Sequence, residues 1–298
     1  MIRNEDTGLK WQSKLILLLV VPLTAMHVVL QSQWWFAHEA NVAITTLGIS
    51  GIFGLIVWRM RAGTFGAALT GATITASLMY STTQLPYNTS WLHGGLMPLL
   101  TMFVLTFLAT RVGKAKKERI GTGEGKRGRT ASQVAANLGM AAIVSIPVLW
   151  NFFRALPDPS ILMLFALAAL AEAAADTVSS EIGQVFGGTP RMILNFKQVA
   201  PGTDGGITLK GTLAGIVAAS VASAIGMSLA GMRGVALLAL ISGLTLAATI
   251  GLIVDSVIGA SLERAGWLNN DAVNFLSTVS AVVAAIPIAL LFASSFAA

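Results

Sequence analysis

The feature that most constrains this chain is a succession of apolar runs, each near twenty residues long, that fill it almost from end to end. They fall approximately at 15–31, 40–58, 63–80, 92–110, 133–150, 160–182, 209–230, 234–254 and 273–293. About 20 apolar residues coiled as a helix cross the hydrocarbon core of a bilayer. A membrane barrel would instead show short segments of alternating polarity, and that alternation is absent. The expected fold is therefore all-α: a polytopic helical membrane protein with about nine transmembrane helices. Composition agrees, with 55% hydrophobic and only 11% charged residues, against about 25% charged in an average soluble domain. Lipid must be the solvent for much of such a surface.

Orientation follows from the basic residues. Between Arg111 and Arg129 lie Lys114, Lys116, Lys117, Arg119, Lys126 and Arg127, offset only by Glu118 and Glu124. Loops rich in Lys and Arg stay cytoplasmic. Alternating outward from this loop puts the N-terminus, with Arg3, Lys10 and Lys14, on the cytoplasmic side. The Arg59/Arg61 turn, the 183–208 loop and the 255–272 segment join it there. The net charge of +6 thus reads as topology rather than as nucleic-acid binding. The first run ends at Gln31, Gln33, Trp34 and Trp35 with no small-residue cleavage site, so it reads as a retained span with interfacial tryptophans. The expected location is the bacterial inner membrane. Residues 1–110 carry almost no intramembrane charge and read as scaffold. Residues 111–132 form a basic, partly Gly-rich loop, and 133–298 hold the informative polar residues. There is no cysteine, and His27, His38 and His93 show no metal-ligand spacing, which excludes disulfides and thiolate metal sites.

Acidic residues inside membrane segments are expensive and usually line polar cavities or pair with cations. Glu172, Asp176, Ser179 and Gly183 share one helical stripe, while Ser180 and Glu181 face elsewhere near the helix end. An ion pair with Arg191 or Lys197 is the plain alternative. The loop that follows holds Pro201, Gly202, Thr203, Asp204, Gly205 and Gly206 just before a helix beginning near Lys210 and Thr212. Such glycines either make a turn or let backbone N–H groups face a phosphate at a helix N-terminus. Gly211 and Gly215 form a small-xxx-small pair suited to close helix packing. Asp255 and Gly259 lie four apart on one face at the end of another span. Arg129, Gln133 and Asn137 recur at i, i+4 and i+8, and Asp271, Asn274 and Ser277 at i, i+3 and i+6. Their amides serve either interhelical hydrogen bonding or ligand contact. Topology brings Asp176, Glu181, Asp204 and Asp255 to one membrane face. Carboxylates, a Gly-rich loop and basic residues together are what a Mg²⁺–nucleotide site requires.

Three motifs in order carry a family resemblance: Ala175-Asp-Thr-Val-Ser-Ser-Glu-Ile-Gly183, Pro201-Gly-Thr-Asp-Gly-Gly-Ile-Thr208 and Asp255-Ser-Val-Ile-Gly-Ala260. Over roughly residues 40–293 the chain resembles the family called domain of unknown function 92, which includes transmembrane protein 19 and the phytyl-phosphate kinase of tocopherol synthesis. More distantly, Asp176-Thr-x-x-Ser-x-x-Gly resembles the signature of CTP-dependent polyprenol kinases and CDP-lipid synthases. The resemblance implies CTP-dependent phosphoryl transfer to an isoprenyl monophosphate such as phytyl or geranylgeranyl phosphate. It implies Asp176, Glu181 and Asp255 as the metal or nucleotide acids, Mg²⁺ on Asp176 and Asp255, and Gly202 to Gly206 as the phosphate loop. Lys210 occupies the place of a lysine in dolichol kinases, with a shortened spacing. The alternatives are a cytidylyltransferase forming a CDP-lipid, a transporter with an acidic central site, and a membrane scaffold. A transporter would carry internal repeats and mid-bilayer acids, neither of which the sequence displays.

Overall fold

Helix boundaries in the computed structural model follow the apolar runs closely. The structure describes residues 10–83, 95–122, 128–151 and 159–296; Arg3, His93, Glu124, Lys126 and Arg127 lie outside them. The order is α1 (Lys10–His38), α2 (Ala40–Arg59), α3 (Phe65–Ser81), α4 (Leu96–Arg111), α5 (Lys114–Arg119), α6 (Ala131–Ser145), α7 (Pro147–Asn151) and α8 (Pro159–Phe186). Then come β1 (Arg191–Met192), β2 (Gly206–Ile207), α9 (Leu209–Leu229), α10 (Gly234–Ile258), a π-helical turn (Gly259–Glu263) and α11 (Asn270–Phe296). Each expected run has become a helix. Among the described residues, six (α1, α2, α8, α9, α10 and α11) are long and apolar enough to cross a membrane. Helices α3, α4 and α6 have 17, 16 and 15 residues. They rise about 23–26 Å, short of the roughly 30 Å hydrocarbon core, so length alone does not make each of them a crossing.

One helix is the axis of the bundle. In α8, 89% of the apolar span is buried, against 22–39% in the other long helices. It packs on α4, α6, α9, α10 and α11, and its alanines at 166, 168, 169, 171 and 173–175 are sealed. Small residues let these neighbours approach closely. A Cβ added at Gly215 would lie 2.7 Å from the Ala175 carbonyl oxygen and 2.9 Å from Ser179 Cβ. One added at Gly251 on α10 would meet Glu172 Cγ at 2.5 Å. The expectation that Gly211 and Gly215 serve helix packing therefore holds.

The loops that carry the polar motifs gather at one end. Arg129 N donates to the Ala62 carbonyl (3.1 Å) and Thr64 N to the Arg129 carbonyl (2.9 Å), joining the Arg61 turn to the chain entering α6. Gln12 Nε2 donates to the Trp267 carbonyl (2.8 Å) and Ser13 Oγ to Asp271 Oδ2 (2.6 Å), joining α1 to α11. Asp271 thus fastens two helices rather than facing a ligand. Four of the helices that start at this end are capped by side chains. Thr64, Thr130, Thr208 and Asn269 accept from the N–H groups of Ala67, Gln133, Gly211 and Ala272. Those starting at the other end, α2, α4 and α10, have no side-chain cap. Four positive helix ends and most of the Lys and Arg residues therefore share the end that bears the motifs.

Overpacking the α8–α9 seam is expected to be costly. Gly215→Leu should lower stability by about 1–3 kcal/mol, read as a reduced thermal unfolding midpoint in detergent. Gly48→Ala, in a helix where an added Cβ meets nothing within 4 Å, should hold or slightly raise that midpoint.

Candidate active site at the basic end of the bundle

The end of α8 presents its polar stripe to a cavity of about 1040 Å³ enclosed by several segments. Asp176, Ser180 and Glu181 come from α8, and Arg129, Gln133 and Asn137 from the start of α6. The loop from Pro201 to Gly206 closes one side, and Asp255, Gly259, Glu263 and Asn274 close another. The sequence expectations thus converge in space for fourteen of the singled-out residues: Arg129, Gln133, Asn137, Asp176, Ser180, Glu181, Asp255, Gly259 and Asn274, with the loop residues Gly202, Thr203, Asp204, Gly205 and Gly206.

Arg191, Lys197, Lys210 and Thr212 are placed differently. They do not line this cavity. Arg191 and Lys197 lie in an exposed hairpin, where Arg191 Nη1 donates to the Phe196 carbonyl (3.0 Å). Lys210 is exposed on the first turn of α9, and Thr212 follows it half-buried. Glu172 also lies off the cavity. It is 1% exposed, wedged between Gly251 and α11, and its Oε1 has no hydrogen-bond partner among the described residues. Ser277 stands beside both Glu172 and Asp255, yet its hydroxyl proton goes to the Asn274 carbonyl (2.8 Å).

Local folding explains how the loop reaches the site. β1 and β2 pair antiparallel, Arg191 opposite Ile207 and Met192 opposite Gly206, so the chain between them returns to the cavity. Gly202 and Gly205 have φ of +79° and +72°, backbone that other residues rarely adopt. A Cβ at Gly205 would collide with Ala260 N at 2.5 Å. The loop therefore rests directly on the π-helical turn, a feature common at functional sites. Thr203 N and Gly206 N are closed on the carbonyls of Ala200 (3.2 Å) and Thr203 (2.9 Å). A phosphate would be met by other donors of this turn.

The amides and Glu181 acquire specific partners. Gln133 completes a capping box with Thr130, and Asn137 Nδ2 donates to the Gln133 carbonyl (2.8 Å); both still line the cavity. Glu181 forms an ion pair with Lys117. Lys117, 2% exposed, also donates to the Ala109 (3.2 Å) and Thr110 (2.6 Å) carbonyls at the end of α4. Lys116 Nζ donates to the Val185 carbonyl (2.5 Å) near the end of α8, where a cation complements the helix dipole. The described part of the basic loop is thus anchored on α8 through Lys116 and Lys117, while Lys114, Glu118 and Arg119 stay exposed. Lys117 was not singled out in the sequence, because its neighbours are equally basic and its partner lies 64 residues away. Glu263, Thr122 and Gln184 are further wall residues that the sequence reading passed over.

Electrostatically the site is a set of interacting carboxylates with the Arg129 guanidinium among them and Arg119 also on the wall. Asp255 feels the charges of Asp176, Glu263 and Asp204, and Asp176 those of Arg129 and Glu181. Arg129 Nη2 lies 3.4 Å from Thr177 Oγ1. Three buried wall atoms, Asp255 Oδ2, Gln184 Oε1 and Thr122 Oγ1, have no hydrogen-bond partner among the described residues. Buried polar atoms rarely stay unpaired, and these three belong to residues of one cavity wall. Among the described residues no three His, Asp or Glu side chains form a metal-ligand group. Two carboxylates facing one cavity do suit Mg²⁺, which is usually held by one or two carboxylates and the phosphates of its substrate.

A helical bundle with apolar spans and a polar cavity at one end is an integral membrane protein. The chain belongs to the family Integral membrane protein DUF92, whose pattern it matches over residues 48–282. It is 35% identical over 184 residues to an uncharacterized membrane protein of Methanocaldococcus jannaschii, covering 62% of this chain and 71% of that one. An uncharacterized membrane protein of Synechocystis is 31% identical over 65% of this chain and 73% of its own. The chloroplastic protein VTE6 of Arabidopsis thaliana is 31% identical over 61% of this chain and 55% of its own. No solved structure matches the chain.

Removing Lys117 leaves Glu181, 19% exposed on the cavity wall, and two carbonyls at the end of α4 without their buried cation. Lys117→Met is expected to cost about 1–3 kcal/mol. Replacing Glu181 by Met in the same chain should return part of that loss, as measured by a double-variant cycle of thermal unfolding in detergent.

Proposed function

We propose that this chain is a CTP-dependent isoprenyl-phosphate kinase, converting phytyl or geranylgeranyl phosphate to the diphosphate at the cytoplasmic membrane face. The observation that carries the reading is the cavity itself: the carboxylates of Asp176, Glu181 and Asp255, the Arg129 guanidinium and a tight glycine loop line one cavity at the basic end of the bundle. The resemblance of its three motifs to the phytyl-phosphate kinase, and through Asp176-Thr-x-x-Ser to CTP-dependent polyprenol kinases, supports the choice of substrates.

In this reading a phosphate oxygen of the lipid attacks the γ-phosphorus of CTP. The bond from that phosphorus to the β-bridging oxygen breaks, CDP leaves, and the lipid diphosphate remains. The acceptor is already an anionic nucleophile, so positioning and charge stabilisation are the main requirements. Asp176 and Asp255 would hold Mg²⁺. When bound, such an ion neutralises charge on the phosphate oxygens. Arg129, on the cavity wall, takes the charge-stabilising role that the sequence reading gave to Arg191 and Lys197. The turn from Gly202 to Gly206 shapes the wall beside the nucleotide phosphates, and Lys117 holds Glu181 at its edge.

Asp176→Asn and Asp255→Asn are each expected to reduce transfer from CTP to geranylgeranyl phosphate by at least about a hundredfold, a loss of roughly 2.7 kcal/mol of transition-state stabilisation. The assay is product analysis with purified protein in detergent. CDP plus a lipid diphosphate is the expected outcome. Pyrophosphate plus a CDP-lipid would replace the kinase by a cytidylyltransferase, and full turnover in both variants would remove the two acids from the site.

A further inference from the structure

A second cavity, of about 740 Å³, lies beside the first, between α2, α3, α4 and the start of α6. Its depth is apolar, with an aromatic floor. Phe53 meets Phe103 edge to face at 5.2 Å, and Phe103 stacks on Phe107 at 5.6 Å. Its rim is cationic. Arg111, one turn beyond Phe107, holds its guanidinium 4.3 Å from that ring centre, and Arg61, Lys114 and Arg129 complete the rim. Glu118 is the one acidic lining residue among those described, 3.9 Å from Lys114; Lys117 is already satisfied by Glu181.

The two cavities share walls. Arg129 and Asn137 line both. The Arg129 backbone is clamped to the Ala62–Thr64 turn on the groove side, while its side chain approaches Thr177 on the polar side. A surface that is aromatic at depth, cationic at the rim and separated from a polar cavity by the shared wall of Arg129 and Asn137 complements an anionic amphiphile. Guanidinium groups are well suited to a phosphate headgroup, and the volume lies within the ordinary range of small-molecule pockets.

We infer that this groove binds the isoprenyl phosphate: its single chain lies against Phe53, Phe103 and Phe107, and its phosphate reaches Arg129 from the groove side. The inference rests on the proposed kinase reading and adds to it the route by which the acceptor meets the nucleotide cavity. The lipid enters between helices, and the nucleotide enters from the aqueous end. Arg111 guides the headgroup without touching the polar cavity.

The test is photolabelling of the full-length protein in detergent with geranylgeranyl phosphate carrying a terminal diazirine, followed by peptide mapping. Adducts are expected in 53–57 and 102–107. Geranylgeranyl phosphate should compete at least about tenfold better than geranylgeraniol or a two-chain phosphatidate, a difference of about 1.4 kcal/mol. Arg111→Ala should weaken that competition several-fold while leaving thermal stabilisation by CTP–Mg²⁺ intact, and that intact shift also certifies the fold. Adducts confined to α9–α11, or equal competition by the alcohol or the phosphatidate, would overturn the groove assignment and leave the kinase reading standing. Groove labelling with no stabilisation by any nucleotide in the unaltered protein would uphold the lipid site and overturn the kinase reading instead.

Discussion

The structure depends on a single constraint: a helix carrying acidic side chains cannot face hydrocarbon, so α8 must be enclosed by protein. Glu172, Asp176 and Glu181 all sit on it. Enclosure needs neighbours that come close on nearly every side, and the sequence supplies them as alanines on α8 and as Gly215 and Gly251 on α9 and α10. Lipid tails give helices little hydrophobic reason to associate with one another, so close packing and polar contacts must hold such a bundle. The small residues are therefore part of what permits the acids. Only toward its end does α8 emerge from this sheath, and there its polar stripe opens on the cavity.

That emergence fixes where a polar site can form. Loops with unpaired backbone groups cannot sit in lipid, but at the end of the bundle a hairpin loop can fold back, rest on the π-helical turn and complete a wall. The side-chain caps at the starts of α3, α6, α9 and α11 tie down the backbone around it. The opposite end lacks such caps at α2, α4 and α10. The difference accords with a motif-bearing end held in one arrangement, as a site with converging carboxylates requires.

The parts of this architecture legible in sequence are those governed by local or one-dimensional rules. Apolar run length gave the helices, because the bilayer sets that length, though the short α3, α4 and α6 show that a run is not yet a crossing. The cost of an intramembrane acid singled out Asp176 and Asp255, and both line the cavity. The fate of the cations was less legible. Lys117 is indistinguishable in sequence from Lys114 or Lys116; what distinguishes it is burial against Glu181, a contact set by how α5 docks on α8. Arg191 and Lys197 were reasonable partners by proximity along the chain, but the β1–β2 hairpin carries them away from the wall. Gln133 and Asn137 show a further limit: the same amides cap or brace their own helix and face the cavity, so glue and ligand contact were not exclusive readings.

Arg129 brings these strands together. An arginine at the start of a helix is electrostatically misplaced with respect to the helix dipole, and burying it halfway costs hydration. Three features offset this cost. Its backbone is clamped by the Ala62–Thr64 turn, its side chain lies by Thr177, and the carboxylate of Asp176 is within electrostatic range. A guanidinium so fixed between an acid-lined cavity and an apolar, cation-rimmed groove is poised to interact with anions approaching from either side. On the proposed reading those anions are a nucleotide phosphate and a lipid phosphate. They repel one another, and one arginine between them would both lower that repulsion and hold the reacting groups in register. The same residue would then link a water-soluble donor and a membrane-bound acceptor where the helix ends meet the aqueous phase.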